Sequence, residues 1–459
     1  MWMPVGLSTM KKTMKNKIYV ILCLLTLGLF VLITVQEQTH FIEVKPLNGV
    51  LYEPEKKPIA IAYMIDGSYQ QSLETYLRYN FGFRELFIKS YNQYIWDFYH
   101  KTLNYTICIG KDNWLYGLDE VVNYYQSSVY SYTQSCAEMQ HKCDLEAQRL
   151  YKVQHILDEY GNFIFVSMLP TKTFLYPEYM PENPGLSLEP FHAYQYYPKV
   201  FDSLGVNYVN VQDIFQNWKG KVDFPLFPKT GKHWTYIASG YAFDTIERYI
   251  EHEGHMNLRN YKMGGKYPDE TEYPDNDLEA VLNLWRPIKP NLNYYAMPVL
   301  DDDSTAYKPT IIVVGDSFFW NLTRSVPLSS IFSNYYYWYY NNLIHFNPKY
   351  DHTSDADILL EILNAKIIDL SYSPEQLFVF SNDFLPKALL YLTHDDAEID
   401  STMVAIAATV EKENEDERME EARKTLFSAP ERYFPDLATD SVPVTRNSRI
   451  PEILAARSF

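Results

Sequence analysis

The stretch Ile311–Trp320, which reads IIVVGDSFFW, decides the fold. Four apolar β-branched residues run directly into Gly-Asp-Ser, which predicts a buried parallel strand that ends in a tight turn before a helix. Ligands of open α/β sheets bind just beyond the carboxyl ends of the strands. Gly315 permits a sharp turn, and Ser317 then directs its hydroxyl at a ligand beside backbone N–H groups that can hold an oxyanion. The alternative interpretation is an ordinary turn in which Asp316 or Ser317 caps the helix.

A second stretch, Phe227–Thr235 (FPKTGKHWT), supplies a candidate general base. It precedes a helical pattern that runs from Tyr236 to about Glu251, with Thr235 as the expected N-cap. A serine nucleophile needs a base, and histidine is the usual one. Because His233 lies in a loop at the end of an element, a functional role is favoured over a packing role.

Together, the two stretches resemble the SGNH-hydrolase-like alginate O-acetyltransferases of bacterial periplasms and their relatives with an Asp-x-His-Trp signature. In that family the histidine loop precedes the serine turn, as it does here. The resemblance covers roughly residues 75–390. Four further segments carry it, and they lie in the family's order: Phe81–Glu85, Gly110–Tyr116, Met168–Lys172 and Tyr176–Glu178.

The chain departs from the family at one position. The family's aspartate stands two residues before the histidine, and here that residue is Gly231. Because a triad carboxylate orients the imidazole and stabilises its cation, its loss can cost orders of magnitude in rate. Three interpretations stay open: another carboxylate reaches His233, the site works as a Ser–His dyad, or it is inactive. The candidate substitutes are Asp223, Asp316 and Asp369.

The resemblance implies a fold and an activity. The fold is an SGNH-like, flavodoxin-like three-layer α/β sandwich with a mostly parallel sheet. Ser317 takes an acetyl group, with His233 as base and then acid, and passes it to a sugar hydroxyl of a cell-envelope or exported polysaccharide. A membrane-bound acyl-donor protein supplies the acetyl group, and neither a cofactor nor a metal is expected. The resemblance also implies an oxyanion hole formed by Ser317 and Asn321 and a substrate-binding set consisting of Trp234, Lys172 and Trp320.

Two other functions remain compatible with the sequence. Gly231 can mark a degenerate site in a polysaccharide-binding scaffold subunit, or the protein can be a periplasmic carbohydrate esterase. A carboxylate within hydrogen-bond reach of the His233 ring favours an enzyme over a scaffold.

Composition excludes some partners. The chain has 58 acidic against 40 basic residues, a net charge of −18. This balance argues against nucleic-acid binding and against docking of the body on anionic lipid by electrostatics. The aromatic segment Asn334–Asn341 is interpreted as a strand packed on both faces rather than as a glycan platform.

The amino-terminal region predicts a membrane anchor. Lysines within residues 1–17 precede the uncharged apolar run Ile18–Val35, an arrangement that leaves the amino end in the cytoplasm. Because no small-x-small cleavage site follows, an uncleaved signal anchor is preferred over a cleaved signal peptide. The expected location is the bacterial inner membrane, crossed once by residues 18–35, with the body in the periplasm.

The chain beyond the anchor is predicted to form three regions. Residues 36–70 read as a stalk and 71–390 as the SGNH-like domain, which opens with one helix from Gln71 to about Lys101. Residues 254–297 form an irregular insert, with a short helix at Asp277–Trp285, that is either a lid or a surface excursion. Residues 391–459 read as a charged helical extension and tail. In an oxidising compartment Cys136 and Cys143 can pair, or they are unrelated thiols.

Overall fold

The computed structural model describes most of the chain and divides it into two compact units. One unit comprises the residues up to Leu103 together with Ala280–Pro287, and the other comprises Asn104–Glu279 together with the residues from Ile288 onward. The described ranges are 6–49, 54–126, 135–181, 191–290, 292–303, 305–354, 356–377 and 380–393. The predicted charged extension at 391–459 therefore lies outside the described residues from 394 onward.

The described residues of the first unit form the helices α1 Gly6–Thr39, α2 Ile61–Ile65, α3 Ser68–Tyr79 and α4 Arg84–Tyr99. The single helix predicted from Gln71 to about Lys101 is wrong, because the chain turns between α3 and α4. Phe83 adopts a left-handed conformation with φ 66°, which a continuing helix cannot accommodate. The stalk predicted at 36–70 is also partly helical, since it includes the end of α1, all of α2 and the start of α3.

Helix α1 carries the apolar run that the sequence predicts as an anchor. Its segment Asn16–Thr39 is long and apolar enough to cross a membrane and has a mean hydropathy of 2.8. None of the 18 most apolar consecutive residues of this segment is buried inside the protein. By length and composition this is a candidate span, and a signal sequence has the same character.

The second unit is an alternation of strands and helices. Its helices are α5 Leu118–Gln126, α6 Cys136–Glu159, α7 Lys172–Leu175, α8 Ala193–Leu204, α9 Val211–Trp218, α10 Tyr236–Glu253, α11 Asp277–Ala280, α12 Phe319–Ser325, α13 Leu328–Ile331, α14 Ile358–Asn364 and α15 Phe384–Thr393. Its strands are β1 Ile107–Ile109, β2 Leu115–Gly117, β3 Phe163–Met168, β4 Tyr208–Asn210, β5 Tyr261–Met263, β6 Tyr267–Glu270, β7 Leu292–Tyr295, β8 Pro298–Leu300, β9 Thr310–Gly315, β10 Asn334–Tyr339, β11 Leu343–His345 and β12 Ile367–Tyr372.

A six-stranded sheet forms the centre of this unit, with the strand order β11-β10-β9-β12-β3-β4. All neighbouring pairs are parallel except β10–β11. Strand β9, which leads to Ser317, lies inside the sheet between β10 and β12. Its residues Ile311–Val314 are at most 2% exposed, which explains why the strand is apolar at every position rather than at alternate ones.

Helices cover both faces of the sheet. Ile312 and Val314 of β9 belong to a core shared with α6, α8, α14 and α15. Ile311 and Val313 face the opposite core, which is shared with α9, α10, α12 and α13. Two separate cores on alternating side chains define a three-layer α/β/α sandwich, so the predicted fold class is confirmed.

The aromatic strand β10 contributes to both cores, as the sequence predicts. Tyr337 and Trp338 are both 0% exposed, and they lie on opposite faces of the sheet. Their rings fill space between the sheet and the helices, so these two are not available to a glycan.

Two local predictions need correction. The helix predicted at Asp277–Trp285 ends at Ala280, and Asn283 beyond it adopts a left-handed conformation with φ 52°. All four cysteines are free, so Cys136 and Cys143 do not pair. They lie seven residues apart on α6, a rise of roughly 10 Å, whereas a disulfide joins Cα atoms less than about 7 Å apart.

Candidate active site

The serine lies in a tight turn between β9 and α12. Gly315 has no room for a side chain, because a Cβ there would overlap the carbonyl oxygen of Ser371 in β12. Asp316 shapes the turn: its carboxylate accepts hydrogen bonds from the backbone N–H of Phe318 at 3.1 Å and of Ser373 at 2.7 Å. Burial raises the pKa of Asp316, and these hydrogen bonds to its charged form oppose the increase. Asp316 therefore fixes the backbone that presents Ser317.

The histidine lies in the loop between α9 and α10, and side chains join this loop to the serine turn. Thr235 caps α10 by accepting a hydrogen bond from Ala238 N–H at 3.2 Å. The indole N–H of Trp234 donates to the carbonyl oxygen of Phe318 at 3.2 Å. The side-chain amide of Asn321 donates in return to the carbonyl oxygen of Trp234 at 2.9 Å. These reciprocal bonds hold His233 at a fixed distance from the turn.

Ser317 and His233 are hydrogen-bonded, and a carboxylate completes the set. The distance between Ser317 Oγ and His233 Nε2 is 2.8 Å. The distance between His233 Nδ1 and Asp277 Oδ2 is 2.6 Å. With Nδ1 protonated toward the carboxylate, Nε2 is left as the acceptor for the serine hydroxyl. This is the geometry of a serine–histidine–aspartate triad.

Asp277 is itself held in position. Its Oδ1 accepts hydrogen bonds from the backbone N–H of Lys232 at 2.7 Å and of Leu278 at 2.8 Å. Burial alone would raise the pKa of Asp277, but the charge of His233 and the hydrogen bonds from His233, Lys232 and Leu278 lower it overall. The carboxylate is thus kept ionised and aimed at the ring.

Gly231 stands where the family has its aspartate, and the structure explains the exchange. A Cβ at position 231 would overlap the carbonyl oxygen of Asp275 and would lie 2.8 Å from both the Asp275 carbonyl carbon and Pro228 Cγ. The segment that brings Asp277 to the ring passes over this glycine. The carboxylate therefore comes from the insert, 44 residues after the histidine, instead of from the loop itself.

The three carboxylates proposed from the sequence do not contact the ring, which corrects that prediction. Asp223 forms a surface ion pair with Lys266. Asp316 is committed to the turn described above. Asp369 lies in β12, where burial raises its pKa to about 7 and hydrogen bonds with Ser167 oppose the shift. Asp277 escaped the sequence analysis because it has no fixed spacing from His233; its one signal is that it begins a predicted helix inside the insert.

Lys172, predicted to bind substrate, is instead fully buried. Its ammonium donates to the carbonyl oxygens of Leu115 at 2.7 Å, Lys229 at 3.0 Å and Gly231 at 2.8 Å. Burial lowers its pKa to about 7, although the nearby carboxylates of Glu120 and Asp277 favour the charged form. Lys172 therefore ties the histidine loop to β2 and does not face a ligand.

Two further predicted site residues have structural roles. Trp234 is 0% exposed, so it cannot contact substrate. Asn321 is 2% exposed and one N–H of its amide donates to the carbonyl oxygen of Trp234, so it holds the histidine loop, and its part in the oxyanion hole stays a prediction. The backbone N–H of Ser317 has no acceptor within the described part of the chain, so it stays a candidate oxyanion donor.

Trp320 is half-buried beside the serine turn. Its ring meets Tyr337 at a centroid distance of 5.1 Å and His345 at 4.8 Å, both edge-on. It remains a candidate for ligand contact. Across the described residues, no group of three or more His, Cys, Asp or Glu side chains is arranged to hold a metal ion.

Comparison with known proteins finds a family model that matches part of the chain. Residues 107–323 match the family described as the SGNH hydrolase-like domain of the acetyltransferase AlgX. This part of the chain is similar to that family. The match contains all three residues of the triad, including Asp277 from the insert. No curated protein matches the chain.

Several solved structures are similar to the chain at low identity. The O-acetyltransferase domain of Pseudomonas putida AlgJ is 12% identical over 61% of this chain and 98% of its own, with a TM-score of 0.39. Pseudomonas aeruginosa AlgX is 13% identical over 62% of this chain and 66% of its own, with a TM-score of 0.38. Bacillus cereus PatB1 is 13% identical over 59% of this chain and 97% of its own, with a TM-score of 0.37. At these scores the likenesses carry no weight for function.

Proposed function

We propose that this protein is a membrane-anchored O-acetyltransferase that acts on a cell-envelope or exported polysaccharide. The observation that carries the proposal is the chain of two hydrogen bonds from Ser317 through His233 to Asp277, at 2.8 and 2.6 Å. The match of residues 107–323 to a family model described as an acetyltransferase supports the same chemistry.

The first half of the reaction acetylates the serine. As Ser317 Oγ attacks the acetyl carbonyl carbon of the donor, its proton passes to His233 Nε2. Asp277 stabilises the imidazolium that results. The oxygen of the tetrahedral intermediate is negatively charged, and the backbone N–H of Ser317 is the donor nearest to it. When the intermediate collapses, the donor's oxygen leaves with the proton from His233, and Ser317 carries the acetyl ester.

The second half passes the acetyl group to the acceptor. His233, neutral again, removes the proton from a sugar hydroxyl, whose oxygen attacks the ester carbonyl. The bond to Ser317 Oγ then breaks, and the serine recovers its proton from His233. Transfer dominates over hydrolysis only if the sugar excludes water, which requires a covered site.

The insert is proposed to provide that cover. It delivers Asp277 to the histidine, and it is also tied to the serine helix, because the Arg324 guanidinium of α12 donates to the carbonyl oxygen of Tyr273 at 2.6 Å. Because the insert is bonded both to His233 and to the helix that follows Ser317, it is well suited to keep water away from the triad. Under this proposal, residues 254–297 act as a lid rather than as a surface excursion.

The carboxylate at the histidine ring favours an enzyme over a degenerate scaffold. A site that had lost its function would have no reason to keep Asp277 ionised, buried and bonded to both Lys232 and His233. The donor is proposed to be a membrane-bound acyl-donor protein, and α1 is proposed to hold the enzyme at the periplasmic side of the bacterial inner membrane.

The test is capture of the acetyl-enzyme. The full-length protein in detergent is mixed with an activated acetyl ester, quenched with acid and digested, and the Ser317 peptide is weighed by mass spectrometry. The proposal expects a single acetyl group on Ser317. Ser317→Ala removes the acceptor atom, and His233→Ala removes the base while keeping the serine.

Two controls make the result decisive. Thermal unfolding establishes that each variant is folded, and a lysine-reactive acetyl ester added to all samples shows that the reagent is intact. A folded wild-type protein that gains no Ser317 acetyl group, while its exposed lysines do, would overturn the proposal. So would an adduct that forms equally fast in His233→Ala.

A further inference from the structure

Helix α4 exposes a row of large aromatic side chains. Phe87 is 42% exposed, Tyr91 47%, Tyr94 44% and Phe98 74%. Their spacing of four, three and four residues puts them on one face of the helix, within a narrow arc. We call these four residues the aromatic stripe. A continuous apolar face of this kind is uncommon on a soluble surface, and it marks a site of interaction.

The opposite face of α4 is occupied by its own unit. The Lys89 ammonium, 5% exposed, donates to the carbonyl oxygens of Lys45 at 2.8 Å and Pro46 at 3.1 Å. The side chain of Asn92 donates to the carbonyl oxygen of Leu282 at 2.8 Å. Gln93 accepts a hydrogen bond from Trp285 N–H at 3.0 Å. The rotation of α4 about its axis is therefore fixed, with the aromatic stripe outward.

The neighbouring helix α3 shows that outward faces in this unit are not all apolar. Glu74 and Arg78 form an ion pair on its surface at 2.9 Å, with side chains 73% and 68% exposed. The exposed surface of α3 is therefore mixed, since Leu77 beside this pair is 56% exposed. The exposed face of α4 differs because four large aromatic side chains follow one another along it.

Helix α1, the candidate membrane span, packs on the turn from which α4 begins. A Cβ at Gly82 would overlap the carbonyl oxygen of Ile33 and would lie 2.8 Å from Gln36 Cβ. Gln36 in turn closes the end of α1: its side chain donates to the carbonyl oxygen of Ile42 at 2.7 Å and accepts from Ile42 N–H at 3.1 Å. The outer end of α1 is therefore part of this unit.

The contact of Gly82 with α1 fixes the depth, relative to the membrane that α1 is proposed to span, of the turn between α3 and α4. Ile33 lies two residues before Val35, the last residue of the uncharged apolar run, which corresponds to roughly 3 Å along the helix. Gly82 thus lies at the level where the hydrocarbon core gives way to lipid headgroups. The aromatic stripe starts five residues later, at Phe87, so the first turns of α4 lie close to this level.

We propose that the aromatic stripe of α4 lies in the outer lipid interface of the membrane that α1 spans, with phospholipid as its occupant. Tyr rings, which combine a polar hydroxyl with an apolar body, are favoured at this boundary, and an amphipathic helix with Phe on its apolar face lies flat in it. The inference rests on the membrane anchoring proposed above. Because the chain carries a net charge of −18, the contact is apolar and does not depend on anionic lipid.

Photocrosslinking in lipid nanodiscs tests the contact with the full-length protein. Benzoylphenylalanine replaces Tyr94 or Phe98 of the stripe, Glu74 of α3 as a matched exposed control, or Leu25 of α1 as a positive control. The discs contain phosphatidylcholine alone or phosphatidylcholine with phosphatidylglycerol. After irradiation, mass spectrometry identifies what each position has captured.

The proposal expects phospholipid adducts at positions 94 and 98 at about the yield of position 25 and at least about tenfold above position 74, alike in both lipids. Lipid capture at 25 without capture at 94 and 98 would overturn it, as would capture of a second copy or of another part of this chain. Absence of lipid at 25 would overturn the anchoring as well. Acetylation of Ser317 in the same discs reports the enzyme independently.

Discussion

At the residue scale, positions 231 and 277 act as a pair. Asp277 supplies the carboxylate that the family takes from the loop, and Gly231 leaves room for the backbone of Asp275 to pass. A carboxylate that reaches the ring from a different segment preserves its function only if nothing at the original position obstructs it. The absence of a side chain at 231 and the position of Asp277 are therefore linked through the backbone of Asp275.

Substitution of Gly231 tests this pairing. In Gly231→Ala the new Cβ overlaps the Asp275 carbonyl, so the insert must shift and Asp277 loses its alignment with His233. We expect Ser317 acetylation to slow by about tenfold or more, since a displacement of about 1 Å at a catalytic group can cost up to about a hundredfold. The rate is measured by mass spectrometry of the Ser317 peptide in samples quenched at successive times.

The family's own residue gives the sharper control. Gly231→Asp combined with Asp277→Asn restores a carboxylate at the family's position but keeps the steric conflict with Asp275. We expect no recovery relative to Asp277→Asn alone. Recovery to the wild-type rate would mean that the insert does not exclude a side chain at 231.

The sequence predicted Ser317 and His233 because each lies next to a pattern with local meaning, a strand end or a helix cap. Asp277 depends on a long connection returning to the site, and no local spacing reports where such a connection goes. Lys172 and Trp234 were placed in the site by the motif they belong to, yet both are buried, because motif residues also hold the scaffold together.

At the element scale, Lys172 joins the histidine loop to β2 by three hydrogen bonds from one ammonium. The loop has no regular structure between α9 and α10, so its conformation depends on such side-chain contacts. The positive charge is matched by carboxylates nearby, Glu120 and Asp277 among them.

Lys172→Met keeps most of the side-chain volume and removes the donor. The carbonyl groups of Leu115 and Gly231 then lose their partner, whereas that of Lys229 keeps the hydrogen bond from Leu115 N–H at 2.9 Å. At about 1 to 3 kcal/mol for each group left unsatisfied, we expect the free energy of unfolding to fall by several kcal/mol. Denaturant unfolding of the full-length protein in detergent measures it. Lys262→Met, at a side chain 74% exposed, is the matched control, and an equal loss in both variants would contradict the assigned role.

Some helices and strands were predicted more accurately from the sequence than others. Strand β9 and helix α10 were recognised because their patterns are long and periodic. Helices α3 and α4 were merged into one, because Phe81–Phe83 continues the apolar spacing while the backbone reverses at Phe83. The reversal follows from packing of Gly82 on α1, a tertiary contact that helical periodicity does not record.

At the scale of the whole molecule, the three-layer arrangement followed from alternation of strands and helices and from the unbroken apolar strands. The sandwich also buries several carboxyl groups. Glu247 on α10 is 0% exposed, and neither of its side-chain oxygens has a hydrogen-bond partner within the described structure. Burial, with the nearby carboxylates of Glu251 and Asp244, raises its pKa to about 9.

This shift predicts a pH dependence of stability. Between the ordinary pKa of 4.5 and about 9, the folded state keeps a proton that the unfolded state has lost, so stability falls as pH rises through that window. Glu247→Gln cannot titrate and lacks this contribution. We expect its free energy of unfolding to exceed that of the wild type increasingly with pH, by up to about 1.4 kcal/mol per pH unit.

Thermal and denaturant unfolding at pH values from about 5 to about 8.5 measure the difference between the two proteins. Glu253→Gln, at an exposed position on the same helix, is the matched control. A difference between wild type and Glu247→Gln that stays constant across this range would contradict the buried, protonated state of Glu247.

The most direct test of the central claim is the rate of Ser317 acetylation in Asp277→Asn, with Asp223→Asn as the control. Asparagine keeps the size of the side chain but removes the charge that orients and stabilises the His233 cation. We expect acetylation about 10³- to 10⁴-fold slower in a folded Asp277→Asn protein, and an unchanged rate in Asp223→Asn. A rate in Asp277→Asn within about threefold of the wild type would show that the triad carboxylate is not Asp277.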